Sequence, residues 1–391
     1  MVKQKNLYLN FITFFLALAF IITIFNTLEF FNQRSINQYS DWLINYQGGF
    51  TRRGLIGELL FQLHIFTKLP LTLFLYFLVF ILYVTFFISF YLIIKKIKID
   101  FLDTLIILSP VSFMYTVMEQ KVSGRKDILY LALLGIFILN LKKINFVNQK
   151  YFLILLITIF SLTHSGFIFY SIFFIFLFYM INLKHGNKQI IIQLIPVFVS
   201  LAFILISLTL FSTHSLESVS KICLSIEDYL PTCGKGYIQT LAYGMKTNLE
   251  ANTLQWHKPY YFIFYFLAFL VTYFPFFLKV YYSKINYYKN NLFLFFLFCT
   301  LATFPLYIIG ADYGRYLYLG YISSILIYYH LISLEIIKTN YVLNFLGKFK
   351  YKYFFATMII IFYGFTFTVP HCCGNNFKFL YSKFINNIKK Y

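Results

Sequence analysis

Apolar residues in this chain do not recur at the spacing of a surface helix or alternate as in a half-buried strand; they run on. Runs of about 18–24 residues, rich in Phe, Leu, Ile and Tyr, are divided by short polar breaks, the pattern of helices that cross a bilayer. About eleven such runs are legible, at roughly 9–31, 71–94, 101–118, 128–141, 151–164, 166–183, 189–212, 259–279, 291–310, 316–337 and 353–370. Several are short, and 128–141 with 151–164 leave room for tilted or partly re-entrant segments. The first is too long for a signal-peptide core and lacks a small-residue cleavage site, so it is expected to be retained as a span. No internal repeat or linker interrupts the pattern. The expectation is an all-α polytopic membrane protein, a single integral membrane domain over residues 1–391. Its outer-face loops lie at about 32–70, 119–127, 213–258 and 311–315, one of them long.

The polar breaks give orientation. With Lys3 and Lys5 placed in the cytoplasm and the spans alternating, the cytoplasmic loops hold Lys95, Lys96 and Lys98; Lys142, Lys143 and Lys150; Lys184 and Lys188; Lys279, Lys284 and Lys289; and Lys338, Lys348, Lys350 and Lys352. That side then carries 17 Lys and no Arg, whereas the outer side receives all five Arg and ten of the thirteen acids. Lysine loops agreeing on one face follow the positive-inside rule. The tail after Pro370 departs from it, since Lys378, Lys383, Lys389 and Lys390 would lie outside. An extra half-span or a tail lying on the membrane surface would each account for that.

Composition agrees: 60% of residues are hydrophobic and 12% charged, too apolar for the surface of a soluble domain. The formal charge of +20 invites a nucleic-acid partner, but its lysines sit as topology anchors between spans, so none is expected. Among 33 basic residues, only Arg34, Arg52, Arg53, Arg125 and Arg315 are arginines. Lys suffices to hold a loop in the cytoplasm. Arg offers an always-charged planar fork that matches phosphate and carboxylate oxygens, which is what an outer-face anion site needs.

The densest polar stretch runs from Asp41 to Glu58. Gln47-Gly48-Gly49 predicts a tight turn, and Thr51-Arg52-Arg53-Gly54 leads into an apolar helix, Leu55 to Phe66, too short to span and ended by Pro70. Arg52 and Arg53 at that helix start suit an anion; a surface helix with snorkelling arginines and an Asp41–Arg pair is the plainer alternative. A second outer loop holds Glu119, Lys121, Arg125, Lys126 and Asp127, either another contact to the same ligand or a solvated turn with internal ion pairs. His164, in a hairpin between spans, is a candidate base or a packed interfacial residue. Asp312 and Arg315 share a very short loop, held near membrane depth, and are either part of the site or a self-neutralising i,i+3 pair. In the long loop, Cys223 and Cys233 frame a turn and can pair as a disulfide on an oxidising face or stay as two thiols. Such a loop can cover a cleft. Trp256 and the tyrosines after Pro259 look like an interfacial belt. Cys372 and Cys373 are adjacent and carry no reading alone.

No P-loop, GxGxxG, CxxC or HExxH occurs, so ATP hydrolysis, nicotinamide chemistry and zinc proteolysis lack support. No clear carboxylate cluster for a metal stands on the outer face, unless Asp41, Glu58 and Asp312 meet in space. An anionic ligand reached from the membrane and the outer face, and needing several Arg, suggests a lipid-linked phosphate or pyrophosphate.

In architecture the chain resembles the Wzy-type polymerases of O-antigen and capsule assembly, diverse Phe- and Leu-rich membrane proteins of about this size. The resemblance covers the whole chain and rests on the outer-face arginines and the single long outer loop. It implies a bacterial inner-membrane enzyme that transfers a growing glycan from undecaprenyl pyrophosphate onto the next lipid-linked repeat unit on the periplasmic face. A chain-length regulator and a flippase are the implied partners, with no cofactor and no metal required. In that scheme Arg52, Arg53, Arg125, Lys126 and Arg315 hold the pyrophosphate. Asp41 is the candidate base, with Glu58, His164 or Asp312 as further acidic or basic candidates. A GT-C-type glycosyltransferase using a polyprenyl-phosphate sugar is the alternative, because it too has an acid in the first outer loop. A flippase ranks lower, since the spans are nearly free of charge.

Overall fold

The computed structural model describes residues 2–243, 250, 259–285, 292–339, 352–365, 367–372 and 378–379. Trp256, Lys258, Cys373 and the tail lysines Lys383, Lys389 and Lys390 lie outside the described residues. The protein is an all-α polytopic membrane protein. Among the described residues seven helical stretches are long and apolar enough to cross a bilayer: Tyr8–Asn32, Leu71–Ile94, Phe146–Thr163, Ser165–His185, Asn187–Leu210, Phe262–Tyr281 and Leu292–Ile309. Their outward faces are apolar; on Asn187–Leu210, Ile191, Ile195, Val199 and Phe203 are all exposed, which is tolerable only where the solvent is lipid. The described strands form two short antiparallel pairs, Ser283–Ile285 with Ile337–Thr339 and Phe367–Thr368 with Lys378–Phe379.

The chain divides into two compact units, each assembled from distant segments: Met1–Thr23, Phe90–Val122 and Asn252–Tyr391 form one, Ile24–Ser89 and Ser123–Ala251 the other. The first is built around the helix Tyr313–Ser333, buried almost all round. Here the run at 101–118 is not one helix. Helix Phe101–Ile107 gives way to turns through Pro110 before a single helical turn, Tyr115–Met118. Proline lacks the N–H and clashes with the preceding turn, and Ser112 N–H instead closes a turn on Ser109 O at 2.8 Å. Lys279, expected to be a loop anchor, is buried: its Nζ lies 2.6 Å from Asp100 Oδ2 and 3.1 Å from Asp103 Oδ1. Those carboxylates are paired because Asp100 caps helix Phe101–Ile107 and Asp103, in its first turn, answers it in a reciprocal capping box.

In the second unit the polar stretch after the first span is folded inward. Helix Gln38–Leu43 is buried along its whole length. Trp42 Nε1 donates to Gly124 O at 2.7 Å, tying the segment that begins at Ser123 to it, and Gly124 sits at φ +75°, a conformation that costs glycine nothing. Helix Leu55–Thr67 crosses so close that a Cβ on Gly57 would stand 1.9 Å from Ile44 O.

Candidate functional site

Five of the sequence candidates gather in this second unit: Asp41, Arg52, Arg53, Arg125 and Lys126. Lys126 is fully buried, and its Nζ donates to Arg53 O at 2.8 Å and more weakly to Thr163 O at 3.4 Å. Asp41 Oδ1 lies 3.8 Å from that ammonium and 3.9 Å from Arg53 Nη1. These are charge contacts without hydrogen bonds, because both separations exceed donor–acceptor distance. Arg52 donates from Nη2 to Thr240 O at 2.9 Å. Burial pushes the Lys126 pKa down to about 8, with Asp41 opposing the fall and Arg53 adding to it. Arg52 is lowered to about 10, chiefly by burial and then by the Arg53 charge.

Charge is therefore concentrated, and its hydrogen bonds are incomplete. Asp41 Oδ1, Tyr46 OH, Thr51 Oγ1, Arg52 Nε, and Arg53 Nε and Nη1 are buried polar atoms with no hydrogen-bond partner. All six come from thirteen consecutive residues, 41–53, the end of helix Gln38–Leu43 and the loop after it. Such atoms each cost roughly 1–3 kcal/mol when left unsatisfied, more when charged. Three of the six are guanidinium N–H groups, the donors that phosphate oxygens accept.

Local sequence explains the placement. Gly49, at φ +101°, turns the chain, and its N–H closes on Tyr46 O at 3.0 Å. Gly54 then admits Tyr46 against its backbone, where a Cβ would lie 2.2 Å from the ring. The long loop folds over the result. Phe50 O accepts from Thr213 N–H, Ile36 O from Tyr237 N–H, and Asn45 Nδ2 donates to Ser225 Oγ at 2.8 Å. Cys223 and Cys233 are joined as a disulfide within that loop. It delivers Tyr237, whose ring lies under two guanidiniums, Arg53 at 5.5 Å and Arg125 at 5.1 Å. Arg125 Nη1 also donates to the Tyr237 hydroxyl.

The remaining candidates do other things. Glu58 accepts Tyr46 N–H at 2.8 Å and the side-chain amides of Gln47 and Gln62, so it holds the turn to the helix. His164 Nδ1 accepts Gly166 N–H at 3.2 Å, and the ring stacks on Phe167, a local cap for the turns that follow. Asp312 and Arg315 belong to the first unit, where they pair with each other at the start of helix Tyr313–Ser333. Arg34 donates to Asp228 O at 3.4 Å.

Comparison with protein-family models, curated proteins and solved structures returned no match.

Tyr237, Tyr46, Thr51 and the Thr240 carbonyl were not legible as site residues, for one tyrosine among 35 carries no signal until the loop fold selects it. The Lys279–Asp100–Asp103 triad had a faint one, the Asp-x-x-Asp spacing of a capping box.

Proposed function

We propose that this protein transfers glycan between lipid carriers, holding a pyrophosphate-linked donor at Arg52, Arg53, Arg125 and Lys126, and that it polymerises undecaprenyl-pyrophosphate-linked oligosaccharide repeat units into O-antigen or capsular polysaccharide. One observation carries this: the unpartnered guanidinium donors of Arg52 and Arg53, beside a buried ammonium, in the segment between the apolar helices Tyr8–Asn32 and Leu71–Ile94. Pyrophosphate is a good leaving group once its developing charge is neutralised, and each well-placed donor is worth roughly 3 kcal/mol in the transition state. Asp41, buried with one oxygen free of hydrogen bonds, is the group available to take the proton of an acceptor hydroxyl. The Cys223–Cys233 disulfide suits an oxidising compartment, which agrees with a periplasmic site in a bacterial inner membrane and a cytoplasmic N-terminus.

The buried carboxylate in the first outer loop also favours a second assignment, a glycosyltransferase of the GT-C type that uses a polyprenyl-phosphate sugar. Deleting the gene separates the two. Single repeat units left on the carrier or the lipid core support polymerisation; repeat units lacking one sugar support the transferase; wild-type glycan sinks both. Cysteines placed at 53 and 143 should label from opposite sides of the membrane, and labelling from one side would overturn the orientation.

A further inference from the structure

We infer that Asp312, His371 and Cys372 form a binding site for one divalent transition-metal ion, zinc by donor chemistry, in the first unit. One ligand atom from each lies within 4.8 Å of the other two, and all three residues are half-buried. Bonds of about 2.0 Å to oxygen and nitrogen and 2.3 Å to sulfur put the edges of a tetrahedral site near 3.5 Å, so closure asks for small side-chain rotations and no backbone rebuilding. A thiolate and an imidazole beside one carboxylate select a borderline cation over calcium or magnesium, which take oxygen.

Residues 370–372 are brought to these groups by specific contacts. Gly314 N–H donates to His371 O at 3.1 Å, and Tyr265 OH donates to Pro370 O at 3.1 Å. A Cβ on Gly314 would stand 2.1 Å from Pro370 O, so only glycine lets the segment lie this close to the helix start. His371 Nδ1 faces Glu119 Oε1 at 3.4 Å. That contact leaves Nε2 for the cation and makes Glu119 the carboxylate that orients a metal-bound histidine. Asp312 is also paired to Arg315, on the same helix start. Glu119 is here a positioning residue, and this site does not depend on the pyrophosphate assignment.

The test uses the full chain purified anaerobically in detergent without reductant, so that the Cys223–Cys233 disulfide stays closed, then stripped with chelator and reloaded with Zn²⁺ or Co²⁺. One zinc per chain should survive desalting by elemental analysis, and Co²⁺ should give thiolate-to-metal charge-transfer absorption in the near ultraviolet. Cys372→Ser should abolish that band, and His371→Ala should abolish stoichiometric zinc, while Cys299→Ser and His164→Ala keep both. Glu119→Gln should weaken binding about 10–100-fold. Size-exclusion profiles confirm that each variant is folded. Substoichiometric zinc in the wild type, or a cobalt band unchanged in folded Cys372→Ser, overturns the site.

Discussion

Replacing Asp41 with Asn removes one charge and almost no volume from the centre of the cationic cluster. Asp41 Oδ1 is 3.8 Å from Lys126 Nζ and 3.9 Å from Arg53 Nη1, and the side chain is only 7% exposed. At such distances each contact is worth about 4 kcal/mol at an effective dielectric of 20, before desolvation offsets most of it. A pyrophosphate bound to the same cations would feel the carboxylate as a competitor. At roughly 6 Å, one unit of like charge costs about 3 kcal/mol on the same scale, so Asp41→Asn should bind inorganic pyrophosphate more tightly, by tenfold or more. Turnover should move the other way, falling roughly 10²–10⁴-fold if Asp41 is the base. Titration calorimetry on protein in nanodiscs measures the first, and glycan ladder length in cells measures the second. A folded Asp41→Asn variant that binds pyrophosphate more weakly than wild type would show that the carboxylate does not compete for those cations. One that binds tightly and still polymerises normally would remove Asp41 from the chemistry.

Arg53→Lys keeps the charge but loses the fork, so pyrophosphate affinity should drop at least tenfold, and wild-type affinity by calorimetry would sink the guanidinium clamp. Affinity should fall as pH rises through about 8, by up to tenfold per unit, because Lys126 then loses its proton; Lys126→Met should flatten that profile. Stability moves oppositely. The folded pKa of Lys126 lies below its unfolded value, so the cost of burying its charge is present below pH 8 and fades as pH rises toward about 10.4. Tyr237→Ala should release the ring from Arg53 and Arg125 and lower the melting temperature, whereas Tyr237→Phe should keep the cation–π contacts, lose the Arg125 hydrogen bond and lower it less. Gly57→Ala drives a methyl into Ile44 O and should destabilise the second unit by about 3 kcal/mol or more, read as loss of pyrophosphate binding and a lower unfolding midpoint.

Much of the fold was legible because bilayer physics leaves a long apolar run few options. Leu71–Ile94 was expected at 71–94 and Asn187–Leu210 at 189–212, each within two residues. Helix Leu55–Thr67 and the turn through Gly49 were readable too, since Gly-Gly and a Pro-terminated apolar run are local signals. The division into two units was not, because it depends on which distant segments pack. Tyr313–Ser333 shows the difficulty: its sequence is apolar enough to suggest a span, yet its neighbours are protein on nearly every side. The candidate site was half legible. Arg52 and Arg53 announced themselves by type, whereas Lys126 and Lys279 looked alike as cations near apolar runs, and only packing distinguished a site residue from a buried ion triad.

That difference between the two buried lysines bears on function. Lys279 has two carboxylates within 3.1 Å, and Tyr329 OH donates to one of them, so its charge is answered by the protein. Lys126 has carbonyls for hydrogen bonds, one carboxylate beyond hydrogen-bond distance, and a pKa pushed down by burial first and by the neighbouring Arg53 charge after it. A buried cation in the first situation is held by its own ion pairs. One in the second is held at a cost that an external anion would relieve, and the bound anion would in turn return Lys126 to its protonated state. Binding and protonation at this cluster should therefore be linked, with Lys126 taking up about half a proton per pyrophosphate bound at pH 8 and close to one at pH 9. Calorimetry in buffers of different ionisation enthalpy reads that number directly. A value near zero across this range, in protein that binds pyrophosphate, would mean that Lys126 takes no part in holding it.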